Sequence, residues 1–158
     1  MKALTIITLS FCLFSNHQAD ITGTWQGKIA DSQTGNNFDS VTIYLKLILS
    51  ADSKISGTSS CYYANNYYKV SSISGKFYKK QDGFYVVEDK VTETNFPNKA
   101  FVHIDRYDLT FVKEDTSRLN GEATCIRSTF RCHENILFSL KKIELNTENI
   151  KDSTNKDR

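Results

Sequence analysis

Four times along this chain an apolar residue, a small polar residue and a glycine stand together: Ile21-Thr22-Gly23, Ile55-Ser56-Gly57, Ile73-Ser74-Gly75 and Leu119-Asn120-Gly121. Residues that favour extended chain follow each one. In a strand, side chains alternate between faces, so the apolar residue and the glycine share a face. A glycine there leaves room where neighbouring backbone or a large ring comes close. Small, strongly bent antiparallel barrels need that relief. The phrase therefore constrains architecture and leaves chemistry open.

Eight strand-like segments can be marked, at 22–30, 41–49, 55–63, 67–78, 84–92, 107–113, 119–126 and 136–143. The clearest is the second. It sets Val41, Ile43, Leu45, Leu47 and Leu49 inward, against Thr42, Tyr44 and Lys46 on the other face. In the sixth, Tyr107, Leu109 and Phe111 are expected inward. Turn residues separate the segments, 114–118 is expected as a turn, and 94–105 is the longest irregular stretch. The turn after Tyr63 can be tested by register. A two-residue turn would pair Gly57 with Ser74 and throw Ile73 outward; a three-residue turn pairs Gly57 with Ile73 and keeps both inside, as the buried face requires. No helical stripe longer than a turn or two is present. The expected fold is all-β, an eight-stranded antiparallel up-and-down barrel, which removes exposed strand edges by closing on itself. Eight strands enclose a space just wide enough to be packed or to hold one small ligand.

The first 19 residues read as a cleaved secretory signal peptide: Lys2, then an apolar run through Phe14, then a polar stretch ending at Ala19. Cleavage is expected after Ala19, with Ser15 as the fallback. Cys12 also suggests a lipoprotein, but Phe11 stands where a small residue is wanted, and lipid anchoring is disfavoured. The apolar run is too short to favour a spanning helix. Residues 20–143 form one barrel domain, and 144–158 are a polar, flexible tail. A secreted or periplasmic protein follows. The chain has 20 basic and 18 acidic side chains, and losing Lys2 brings it closer to neutrality, which is no footprint for nucleic acid. Secretion leaves Cys61, Cys125 and Cys132, enough for one internal bridge. Cys125–Cys132, close in sequence, is the preferred pair, although Cys61 and Cys125 hold matching places after their glycines.

Gly23-Thr24-Trp25 resembles the opening of lipocalin and avidin-type barrels, the calycins, and Ile55-Ser56-Gly57-Thr58 looks like an avidin strand phrase. The chain from Gly23-Thr24-Trp25-Gln26-Gly27 to Ile136-Leu137-Phe138-Ser139-Leu140-Lys141 is also similar to secreted bacterial proteins with a Gly-x-Trp-x-Gly start. The resemblance implies that Gly23 and Trp25 close one end of the barrel. It also implies a late arginine across the indole, with Arg127 or Arg131 in that role. Avidin-type pockets carry several tryptophans. Trp25 is the only one here, so biotin binding is not implied.

Three places could carry chemistry. His103 and Asp105 share a face of an extended segment, where a carboxylate can orient an imidazole for acid–base work, but no nucleophile stands near them in sequence. Glu88 and Asp89 face opposite ways on a strand, so they cannot form a dyad; one of them pointing into the barrel would be a specificity group in a pocket, but a solvated face is the expectation, since acids are rarely buried. The hairpin tip carries Tyr62, Tyr63, Tyr67 and Tyr68, rigid amphipathic rings of the kind binding loops use. Phosphate-loop, nucleophile-elbow, zinc and calcium motifs are absent from the sequence. The expected function is a secreted, non-catalytic binding module with no cofactor or metal. It would take a small apolar molecule in the barrel, or a protein partner through the tyrosine-rich hairpin as an inhibitor or envelope-associated factor. A small hydrolase or isomerase is the third reading.

Overall fold

The computed structural model describes residues 20–29, 41–63, 66–78, 82–97, 103–127 and 135–144. The expected signal peptide and nearly all of the expected tail lie outside them. Eight strands, β1 (Gly23–Ile29), β2 (Val41–Leu49), β3 (Lys54–Tyr62), β4 (Tyr68–Tyr78), β5 (Gly83–Thr94), β6 (Ile104–Val112), β7 (Asp115–Arg127) and β8 (Ile136–Ile143), form one closed barrel in chain order. All neighbours are antiparallel, and β1 pairs with β8 as well as with β2. Closure gives every strand a hydrogen-bonded neighbour on both sides.

Alternation builds the inner face. Ile43, Leu45 and Leu47 of β2 are buried, with Val41 and Leu49 packed against the same core. Tyr107 and Leu109 point inward from β6, and Phe111 packs on the core as expected. Gly57 does pair with Ile73. Asn66 makes that turn possible: it takes a positive φ of 59°, which asparagine tolerates, while Asn66 N–H donates to the Tyr63 carbonyl at 3.1 Å. The turn between β6 and β7 is tighter than the sequence suggested. Glu114 reverses the chain at φ 70°, and Asp115–Arg118 already belong to β7. β5 and β6 likewise extend further into the stretch read as irregular, to Thr94 and back to Ile104.

The repeated glycines sit where the barrel is tightest. A Cβ on Gly57 would run into the Lys46 carbonyl of β2, and one on Gly75 into the Tyr85 carbonyl of β5. At Gly121 the obstacle is a ring: Phe138 Cζ would lie 2.7 Å away. Backbone cannot yield as a side chain end can. Gly57→Ala and Gly75→Ala are each expected to lower unfolding free energy by roughly 1–3 kcal/mol, whereas Ser56→Ala on the outer face changes it by less than about 0.5 kcal/mol. Urea titration followed by circular dichroism reads all three.

Candidate functional site

The barrel interior changes character along its axis. At the end holding the β2–β3, β4–β5 and β6–β7 turns it is apolar. Trp25 is fully buried there, its Nε1–H donates to the Ile21 carbonyl at 2.8 Å, and the Phe111 ring meets it edge-on at 6.3 Å. The cation across this indole is Lys142, whose Nζ lies 5.6 Å from the ring centre. Of the two arginines expected there, Arg127 is corrected, since it ends β7 at the opposite end of the barrel, exposed; Arg131 lies outside the described residues. Lys142 can serve because β8 runs antiparallel to β1 and sets Lys142 beside Trp25.

At the other end the inner face is ionic. Lys69 of β4 is 1% exposed, and so is Glu88 of β5. The Lys69 ammonium has three N–H groups and finds three acceptors: Glu88 Oε2 at 2.7 Å, the His103 carbonyl at 3.0 Å and Asp105 Oδ2 at 3.1 Å. Glu88 is equally engaged. Its Oε2 also accepts the Asp105 backbone N–H at 3.1 Å, and its Oε1 accepts the Tyr107 hydroxyl at 3.1 Å. Tyr107 Oη in turn lies 3.4 Å from Ser59 Oγ and 3.9 Å from Cys61 Sγ.

Glu88 corrects the expectation of a solvated acid. Its partner was not anticipated, and a carboxylate with a buried ammonium at hand need not face water. Asp89 does face out and accepts the Ser74 hydroxyl at 2.8 Å. Of the His103 and Asp105 pair, Asp105 turns inward and accepts from Lys69, and the His103 backbone carbonyl accepts from the same ammonium. Lys69 itself went unrecognised in the sequence. It shares the parity of Ser71, Ile73 and Phe77, all buried, and that parity was the available signal.

Electrostatics follow from burial. Burial works against the Lys69 charge, but the Glu88 and Asp105 carboxylates outweigh it and hold the ammonium well above its ordinary range. A lysine kept protonated has no lone pair to use as a nucleophile. Burial raises Glu88 above the usual carboxylate range; Lys69 opposes that shift and Asp105 adds to it. Burial also pushes the Cys61 thiol up to about 11 and Tyr107 well above its ordinary value. Cys61 is a buried free thiol and stays unreactive at neutral pH.

The four hairpin tyrosines divide between two surfaces. Tyr63 and Tyr67 turn to the barrel mouth and close on Phe96 beyond β5, Tyr63 edge-on at 5.1 Å and Tyr67 stacked at 5.0 Å. Burial raises the Tyr63 hydroxyl as well. Tyr62 and Tyr68 lie on the outer wall, 6.2 Å apart, with Tyr62 against Tyr44 at 5.8 Å. Cys125, partly buried on β7, is not a free thiol; Cys132 lies outside the described residues. Among the described residues, no cluster of three or more metal-ligating side chains occurs, and no helix is long and apolar enough to cross a membrane. Compared with known proteins, the chain matches no family model and no curated sequence.

Two predictions follow from the ionic cluster. Lys69→Met strands two interior carboxylates, and breaking a buried pair in this way costs roughly 3–5 kcal/mol. The loss should shrink as pH is lowered from 7 towards 5, because protonation removes the stranded charge. Above neutrality the wild type also loses stability as pH rises. Cys61, Tyr63, Tyr107 and Lys69 all hold their protons more tightly folded than unfolded, so their contributions are full below their ordinary values and fade above them. Cys61 starts lowest, at 9.0. Urea midpoints should be flat from pH 7 to about 9 and fall thereafter, with Cys61→Ser delaying the onset.

Proposed function

We propose that this protein is a secreted, non-catalytic binding module that engages a protein partner through the barrel mouth formed by Tyr63, Tyr67 and Phe96. One observation carries the reading: rings from two separate connections converge on each other at the end of a closed barrel. Such rings offer large contact area at little entropic cost, and Tyr and Phe are enriched in the centres of interfaces. Beneath them the ionic cluster gives the mouth a rigid floor. Its groups satisfy one another, which supports a structural role for them over acid–base catalysis.

The likeness to lipocalin and avidin-type barrels supports a binding role, and Gly23 with Trp25 fits the closing pair of those folds. A Cys125–Cys132 bridge belongs to the same reading, since an oxidising compartment would form it and Cys125 is not a free thiol. A small apolar molecule inside the barrel is the second reading, favoured by the apolar core around Trp25.

The test uses Tyr67→Ser with Phe96→Ser, leaving the more buried Tyr63 in place. Immobilised wild-type protein is expected to capture a partner from extracts of its own host, and the double variant to lose at least tenfold of that capture with an unchanged circular dichroism spectrum. Undiminished capture by the folded variant would remove the mouth from the account. A small molecule retained in native mass spectrometry by both proteins would move the site into the barrel.

A further inference from the structure

The outer wall of β1 to β4 carries a feature that the mouth does not use. Outward side chains there fall into three rows across the strands: Thr24, Lys46, Thr58 and Ser72; Gln26, Tyr44, Ser60 and Val70; Lys28, Thr42, Tyr62 and Tyr68. Where short hydroxyl side chains sit among long ones, the wall sinks into a groove of about 520 Å³ lined by Thr24, Thr42, Tyr44, Lys46, Thr58, Ser60 and Tyr62. Tyr62 is 47% exposed, and Tyr44 and Tyr68 flank it as an aromatic rail. Gln26 donates its amide to the Tyr44 hydroxyl at 3.0 Å, which steadies one side of that rail.

We propose that this groove is a binding site for a neutral carbohydrate chain. The lining is four aliphatic hydroxyls, two phenols and a single cation, with no carboxylate. Hydroxyls both donate and accept hydrogen bonds, the complement of a polyol. Tyrosine faces give the flat apolar surface that the C–H side of a sugar ring covers. The volume falls within the range of small-molecule sites and suits a segment of two or three sugar units.

Other occupants fit less well. A peptide adding itself as a strand needs unpaired backbone groups, and each of β1 to β4 is paired on both sides in the closed barrel. A polyanion such as nucleic acid needs a basic track, and the groove lining supplies only Lys46. An apolar ligand would leave the hydroxyls without partners. The site lies outside the barrel, so it stands or falls independently of the mouth.

Affinity electrophoresis of the full protein through gels containing laminarin, mannan, dextran or alginate tests it. At least one neutral polysaccharide should retard the wild type, and Tyr62→Ala should weaken that retardation at least fivefold while thermal unfolding shifts by no more than a few degrees. Tyr44→Phe, which keeps the ring and removes the hydroxyl held by Gln26, should weaken it by a smaller factor. The mouth variant Tyr67→Ser should bind as the wild type does. Absence of retardation by all three neutral polymers, retardation by alginate alone, or full retention in folded Tyr62→Ala would each overturn the proposal.

Discussion

Main-chain pairing between β5 and β6 runs from Gly83 opposite Thr110 to Val87 opposite Arg106 and stops. Lys69 takes over from there. The next residue of β5 is Glu88 and the preceding residue of β6 is Asp105, and both carboxylates meet the Lys69 ammonium. Side chains also collect the backbone groups that the ladder releases: Glu88 accepts the Asp105 N–H, and Lys69 donates to the His103 carbonyl. The cluster is a polar seam that holds the barrel wall together where β5 and β6 part. Buried ion pairs add little net stability compared with an apolar filling, yet losing one partner is expensive. Here they link β4, β5 and the start of β6 at the mouth.

The rest of the molecule arranges itself around that division. The opposite end buries its indole among aliphatic and phenyl side chains and draws stability from apolar area. The glycines let β3 approach β2, and β4 approach β5, more closely than any side chain would allow. Closure by β1 and β8 gives every strand a neighbour on both sides, so the barrel presents mainly side chains on its surfaces. Two such surfaces carry rings, the mouth and the outer wall of β1 to β4, and the hairpin after β3 feeds both.

Much of this was legible in the sequence. Strand number and order, the inward set of β2 and the Gly57–Ile73 register all follow from period-2 alternation under the demand that one face be buried. The ionic end was less legible. Parity alone places Lys69, Glu88 and Asp105 inside with Ser71, Val86 and Tyr107. The general rarity of buried charge argued against reading parity literally, and that rule fails where charges come with partners. Those partners lie 19 and 36 positions from Lys69, so no local pattern reveals them. The tyrosines divide between two surfaces for a simpler reason: successive residues of an extended chain face opposite ways, which sets Tyr62 on the outer wall and Tyr63 toward the mouth. Lys142 stands over the indole and Arg127 does not, because the end of β8 lies beside Trp25 whereas Arg127 ends β7 at the opposite end of the barrel.

The central claim is that Lys69 is a dry, fully bonded ammonium inside the mouth of the barrel. Nitrogen-15 NMR of the lysine side chains at neutral pH and room temperature tests it directly. The account predicts one ammonium resonance that exchanges with water slowly enough to be seen, lost in Lys69→Met and absent for the surface lysines. A spectrum with no protected ammonium would contradict it.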